Sequence, residues 1–199
     1  MKEKRLLGAV FTLTLEGRGS GVADVAERLG AGAAEARTWI RACEKRGLLE
    51  VSRGRLSLTQ RGRRRIRVVF MGGGFEVIHR GHLHTISEAR RLGDVLVVTV
   101  ARDSTIRARK NREPVSDEVQ RMKLLASLRQ VDSAILGVEG NIYETLERVG
   151  PDVVVLGYDQ HHLEADIARE GAARGLKLKV VRLDSPDPAL KTSALLRDL

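Results

Sequence analysis

The hydrophobic rhythm of the chain changes near residue 66. Before that point, apolar positions recur at helical spacing and then alternate. Val22, Val25, Ala26 and Leu29 share one face of a helix predicted over 22–29. Ala36, Ile40 and Cys43, at i, i+4 and i+7, form the buried stripe of another over 33–46. A first helix is predicted over 4–15, and Gly17, Gly19 and Gly21 end it. Gly30 and Gly32 make the next turn, and Gly47 stands where a helix C′ residue belongs. Alternation in Leu56-Ser57-Leu58 predicts a hairpin of strands 48–52 and 55–59 around Arg53–Gly54. From Ile66 onward, β-branched runs recur at 66–71, 95–101, 134–136, 153–156 and 178–183. Helical segments near 81–92, 119–128, 142–149 and 163–174 lie between them. Strands that alternate with helices predict an α/β fold, a parallel sheet covered on both faces. The expected organisation is therefore two domains, 1–65 and 66–199, with Arg61–Arg65 as the junction.

Charge follows the same division. The 199 residues carry a net charge of +9. Residues 1–67 hold 16 Lys/Arg against 7 Asp/Glu, and the remaining 19 of each sign cancel. Such asymmetry suggests two units with different partners, the basic one facing a polyanion or simply a solvated surface. Three helices followed by a basic-tipped hairpin resemble a winged helix-turn-helix domain, with "RACEKRGLLE" and "LSLTQRGRR" as the ends of its recognition helix and wing. The resemblance implies duplex DNA as a partner. Arg37, Thr38, Arg41 and Lys45 would lie on the third helix, and Arg53 and Arg55 at the wing. Alanine-rich 31–36 leaves the front of that helix poor in base readers, so the competing expectation is a domain that forms a homodimer or covers an active site.

Composition excludes other classes. Cys43 is the only cysteine, so an intramolecular disulfide is impossible. No apolar run approaches the roughly 18 residues of a membrane span. The apolar segment 6–15 follows Lys2, Lys4 and Arg5 but lacks a small-residue cleavage site, and it is read as the first helix of a soluble, cytoplasmic protein with no membrane partner.

The chemistry concentrates in Gly72-Gly73-Gly74-Phe75-Glu76-Val77-Ile78-His79-Arg80-Gly81-His82, between the first strand and a helix of the second domain. Glycines allow close approach of backbone to a phosphate, and the helix N-terminus favours an anion. The triplet does not fit the G-x-G-x-x-G dinucleotide pattern. His79 and His82, three residues apart at a first helical turn, can aim at one spot. Metal ligation needs a third ligand that is not evident, so no metal site is expected. Donation to an α-phosphate, whose charge grows in the transition state, suits the pair better.

This stretch resembles the HxGH nucleotidyltransferases, the cytidylyltransferase-like family. The likeness runs over about 67–197 and includes "GFEVIHRGHLH", "VVTVARDST", "VLGYDQ" and "KTSALLR". It implies a Rossmann-like parallel sheet, with His79 at the triphosphate and His82 at the transition state. It further implies that Gly73, Gly74, Phe75, Gly157 and Asp159 bind the nucleotide. Thr192, Ser193 and Arg197 would hold the β- and γ-phosphates, and Lys110 and Arg121 would hold phosphates beside the reacting centre. The latter pair are otherwise ordinary surface charges. Two departures stand out: Gly74 and Glu76 occupy the places of threonine and aspartate in the common G-T-F-D form, and Arg197 sits one residue nearer Ser193 than in the usual spacing.

Within the family, "VVTVARDSTIRARK", "PVSDEVQRMKLLASLRQVDSAILG" and "PDVVVLGYDQ" are similar to the archaeal-type FAD synthetases. That similarity implies ATP and FMN as substrates, with Mg²⁺ accompanying ATP. Nucleobase recognition would fall near Gly157-Tyr158-Asp159-Gln160, although Tyr158 also suits a core. Aromatics are only 3% of the chain, which is spare for a flavin pocket. A cytidylyltransferase acting on glycerol 3-phosphate, and a regulator that senses a nucleotide without turnover, are the competing readings.

Overall fold

The computed structural model describes residues 2–185, which fall into two compact units divided between Arg67 and Val68. The first contains α1 (Lys2–Leu15), α2 (Val22–Leu29), α3 (Ala33–Lys45), β1 (Leu49–Ser52), β2 (Arg55–Leu58) and α4 (Gln60–Arg63). Its core joins Val25, Ala26, Ala36, Ile40 and Cys43 of the predicted stripes to buried Leu6, Val10 and Leu13 of α1 and Leu56 of β2. β1 and β2 pair antiparallel, and Ser20 adds a rung: the Leu56 amide donates to its carbonyl and its hydroxyl donates to the Leu56 carbonyl. The tight turn between the strands places Arg53 at φ 49° and Gly54 at φ 75°. Two successive positive φ values match the twist of a hairpin. The short α4 was not anticipated. Thr59 caps it, and Gly62 is obligatory there, since a Cβ would stand 1.9 Å from the Leu48 carbonyl oxygen.

The second unit runs β3 (Val68–Gly73), α5 (Arg80–Arg91), β4 (Val95–Val100), α6 (Asp103–Lys110), α7 (Glu118–Ala126), β5 (Ser133–Leu136), α8 (Ile142–Val149), β6 (Val153–Leu156), α9 (Glu164–Ala173) and β7 (Lys179–Arg182). All five strands are parallel, in the order β5-β4-β3-β6-β7. This is the expected Rossmann-like α/β fold. β4 and β6 are buried at every position, as sheets covered on both faces require. Two aspartates fix the register at the strands' N-terminal ends: Asp152 accepts from the Val68 amide at 2.6 Å and Asp132 from the Leu96 amide at 2.7 Å.

Strand order reverses direction at β3, whose neighbours are β4 and β6. In open parallel sheets, the crevice at the carboxyl ends of strands flanking such a switch point is where ligands bind. Here that crevice lies between the loop after β3 and the loop after β6. No helix among the described residues is long and apolar enough to cross a membrane.

Candidate active site

β3 continues through two glycines, and packing accounts for both. A Cβ on Gly72 would lie 2.6 Å from the Thr99 methyl, and one on Gly73 would meet the Phe75 ring at 3.0 Å. Gly74 is different, since its nearest neighbours to a Cβ stand at 3.9 Å. The next residue, Phe75, is buried and left-handed at φ 51°, a conformation that is costly for a side chain of its size. The chain is thereby reversed so that His79 becomes the N-cap of α5.

His79 and His82 come together as expected. Their ring centroids are 3.9 Å apart with planes inclined by 35°, and Phe75 packs on His82 at 5.2 Å. The His79 side chain makes no capping hydrogen bond to the first turn of α5, and a helix N-terminus beside the two imidazoles favours an anion. Burial first, then the neighbouring His79, depresses the His82 pKa to about 4; the charge of Asp159 opposes this. His82 is therefore a neutral imidazole near pH 7. Its Nδ1 is buried with no hydrogen-bond partner among the described residues.

Lys110 lies in the last turn of α6. It pairs with the Glu76 carboxylate, which Arg112 also contacts at 2.7 and 3.1 Å and which the Val115 amide reaches at 3.3 Å. The Glu76 side chain is fully buried. Burial would push its carboxyl up, but the hydrogen bonds from Arg112 and Lys110 outweigh this and hold it below the ordinary glutamate range. Sequence reading noted Glu76 only as a departure, because its partners lie 34 to 39 residues downstream.

Arg121, expected at the phosphates, is placed elsewhere. Its side chain is 1% exposed, and its guanidinium donates to the carbonyls of Gly74, Ala101 and Ser116 and to the Asp103 carboxylate. It braces the Gly74 loop from behind, and all three of its guanidinium nitrogens are engaged there. Asp103 and Glu118 each accept from the other's backbone amide, so the starts of α6 and α7 are locked together.

The opposite wall is the loop after β6. Gln160 donates to the Gly72 carbonyl at 2.6 Å and accepts from the Gly157 amide, which ties Gly157 to β3. From β7, Arg182 donates to the carbonyls of Gly157, Gln160 and His162 and pairs with Glu164. Asp159 remains exposed, close enough to His82 to act on its charge. Sequence reading missed Arg182, one of two cations in a short strand with no motif around it. Thr192, Ser193 and Arg197 lie outside the described residues.

Residues 70–194 match the cytidylyltransferase-like family. The chain belongs to that family. It is 45% identical to the FAD synthase of Thermoplasma acidophilum over 130 residues, 65% of this chain and 90% of that protein. It is 46% identical to the FAD synthase of Aciduliprofundum boonei over 58% of this chain and 76% of that one. A solved structure from Thermoplasma volcanium GSS1, described as a lipopolysaccharide core biosynthesis protein, is 42% identical. Its TM-score is 0.59, with 61% of this chain and 99% of that chain covered. A pantoate-beta-alanine ligase of Francisella tularensis shares the fold at a TM-score of 0.52 and 17% identity, over 72% of this chain and 67% of that chain. The second unit is thus a nucleotidyltransferase of the FAD synthase kind.

Proposed function

We propose that the enzyme transfers AMP from ATP to FMN and releases diphosphate. The observation that carries this reading is the closely packed His79–His82 pair at the start of α5, with His82 neutral, in a chain 45% identical to an archaeal FAD synthase. An FMN phosphate oxygen attacks the α-phosphorus in line. The bond from that phosphorus to the oxygen bridging the α- and β-phosphates breaks, and diphosphate departs with the electron pair. The nucleophile is already anionic, so the protein's work is to position the groups and to stabilise charge on the α-phosphate oxygens. His79, His82 and the first amides of α5 supply donors there. Lys110 carries positive charge beside them, and Gly73, Gly74, Phe75, Gly157 and Asp159 form the walls that hold the nucleotide. Thr192, Ser193 and Arg197 are assigned the β- and γ-phosphates.

Magnesium enters with ATP as part of the substrate. Such an ion keeps waters and phosphate oxygens as most of its ligands and needs one or two carboxylates at most. Asp159, exposed beside His82, is the carboxylate that fits this, and no group of three His, Cys, Asp or Glu converges among the described residues. Chromatography of products from ATP with FMN, beside CTP with glycerol 3-phosphate, tests the assignment. FAD in the first reaction is expected. Turnover only in the second would replace it with the cytidylyltransferase reading.

For the first unit we propose a winged-helix domain that binds duplex DNA. Arg37, Thr38, Arg41 and Lys45 are exposed on α3, and Arg53 and Arg55 are exposed at the hairpin. This arrangement and the concentration of net charge in the unit support the reading over dimerisation.

A further inference from the structure

Glu76 and Gly74 are two residues apart on the loop after β3, and the geometry ties them together. The Glu76 carboxylate has no solvent exposure, yet Lys110 and Arg112, which hold it, keep 40% and 36% of their side chains exposed. Asn111 between them is left-handed at φ 51°, a conformation asparagine tolerates. This bend lets both cations turn to the same carboxylate. Each has donors to spare. An ammonium has three N–H groups and a guanidinium five. Lys110 uses one on Glu76, while two Arg112 nitrogens serve Glu76 and the Glu113 carbonyl.

Space completes the relation. A Cβ on Gly74 would stand 3.9 Å from Glu76 Oε2 and 3.9 Å from Lys110 Nζ. A Cβ alone fits, but the outer atoms of a threonine would extend towards the carboxylate and the ammonium. The longer glutamate therefore reaches two cations because residue 74 carries no side chain.

We propose that Glu76 is a positioning residue that holds Lys110 and Arg112 side by side with donors left for the triphosphate, and that Gly74 is the space its carboxylate requires. The identity of the anion rests on the ATP reading above. The arrangement makes a sign prediction. Glu76→Gln removes one negative charge beside two cations, so a purely electrostatic role would tighten ATP binding. A positioning role weakens it, because the two cations lose their common anchor and spread apart.

The test is isothermal titration of MgATP into the full chain, without acceptor, together with steady-state kinetics. Glu76→Gln is expected to weaken ATP binding about tenfold, the scale of one lost charge-assisted hydrogen bond, with the KM for FMN unchanged. Glu76→Asp and Gly74→Thr, which keep the charge and so guard against misfolding, are each expected to weaken it. The double variant Gly74→Thr with Glu76→Asp is expected to bind better than the product of the single effects predicts, since the shorter carboxylate makes room for the added side chain. Tighter or unchanged binding in Glu76→Gln overturns the proposal, and so do single effects that simply multiply. If the wild-type chain binds MgATP but makes no FAD, the acceptor assignment fails while the titrations still decide the role of Glu76.

Discussion

Phe75 sets the environment of His82. Its ring lies 5.2 Å from the imidazole, and its own backbone takes the left-handed turn that brings α5 back to the crevice. One residue thus both points the helix and dries the histidine. Burial is the largest reason that His82 holds no proton near neutrality. In the role proposed for His82, a neutral donor would serve better than a cation, since it would stabilise charge that develops on the α-phosphate without binding ATP indiscriminately in the ground state.

His79→Ala and His82→Ala should each lower turnover by roughly two to three orders of magnitude, the loss typical of one preorganised transition-state donor. Both side chains are partly exposed at the crevice, so folding should survive. The measurement is FAD formation at saturating ATP and FMN. A variant that keeps near-normal turnover would remove that histidine from the mechanism.

Stability should fall in mild acid because of the same burial. Folding depresses the His82 pKa from 6.5 to about 4. Between these values the unfolded chain binds a proton that the folded chain refuses. The contribution is therefore complete above pH 6.5 and is lost as pH falls towards 4, and amounts to at most about 3 kcal/mol. Urea midpoints at pH 7 and pH 5 should converge more closely for His82→Gln than for the wild type. In Phe75→Ala, imidazole titration by NMR should show the His82 pKa moved up. An equal acid loss in wild type and His82→Gln would assign the effect to other groups.

Much of the second unit was readable because its strands are apolar runs: 153–156 coincides with β6, and 95–101 overshoots β4 by one residue. α6 went unseen for the opposite reason. Asp103–Lys110 has Ile106 as its one buried residue, so no hydrophobic period announces it. The meeting of His79 and His82 was legible because short-range spacing on a helix fixes it. Arg121 was misplaced because its partners are mostly carbonyls, which no sequence pattern marks. A buried arginine reads like an exposed one until the loop it braces is known. Packing adds a second reason for Gly72 and Gly73 that no sequence pattern marks, since Thr99 and Phe75 leave no room for a Cβ at either.

Arg121→Met tests that correction. Methionine fills much of the space but leaves the Asp103 carboxylate and three carbonyls without their donor. Removing one partner of a buried pair costs roughly 3–5 kcal/mol. Urea unfolding should show this loss, while ATP affinity of the protein that remains folded changes little. Retained stability with a large loss of ATP affinity would return Arg121 to the phosphates.

The proposed binding of duplex DNA by the first unit is testable through its salt dependence as well as its affinity. α3 exposes Arg37, Arg41 and Lys45 at four-residue spacing, so these cations line one face, with Thr38 beside them. In a winged helix that face enters the major groove and the hairpin touches the backbone. Each phosphate neutralised releases counterions, so binding of the full chain should weaken steeply as salt rises, with a slope near −0.9 per contact. Arg53→Ala should weaken binding to all sequences alike and flatten that slope by about one contact, because the hairpin tip meets only phosphate. Arg53 sits at a positive φ that asparagine accepts more readily, so Arg53→Asn separates contact from folding: it should relieve the turn and still bind poorly. Arg41→Ala should also reduce the preference among sequences if its guanidinium reaches a base edge. Fluorescence anisotropy with labelled genomic fragments at low and moderate salt provides the readings, with sedimentation of the same samples. No binding at either salt concentration, together with concentration-dependent self-association that Arg41→Ala abolishes, would instead make the basic face of α3 a dimer surface.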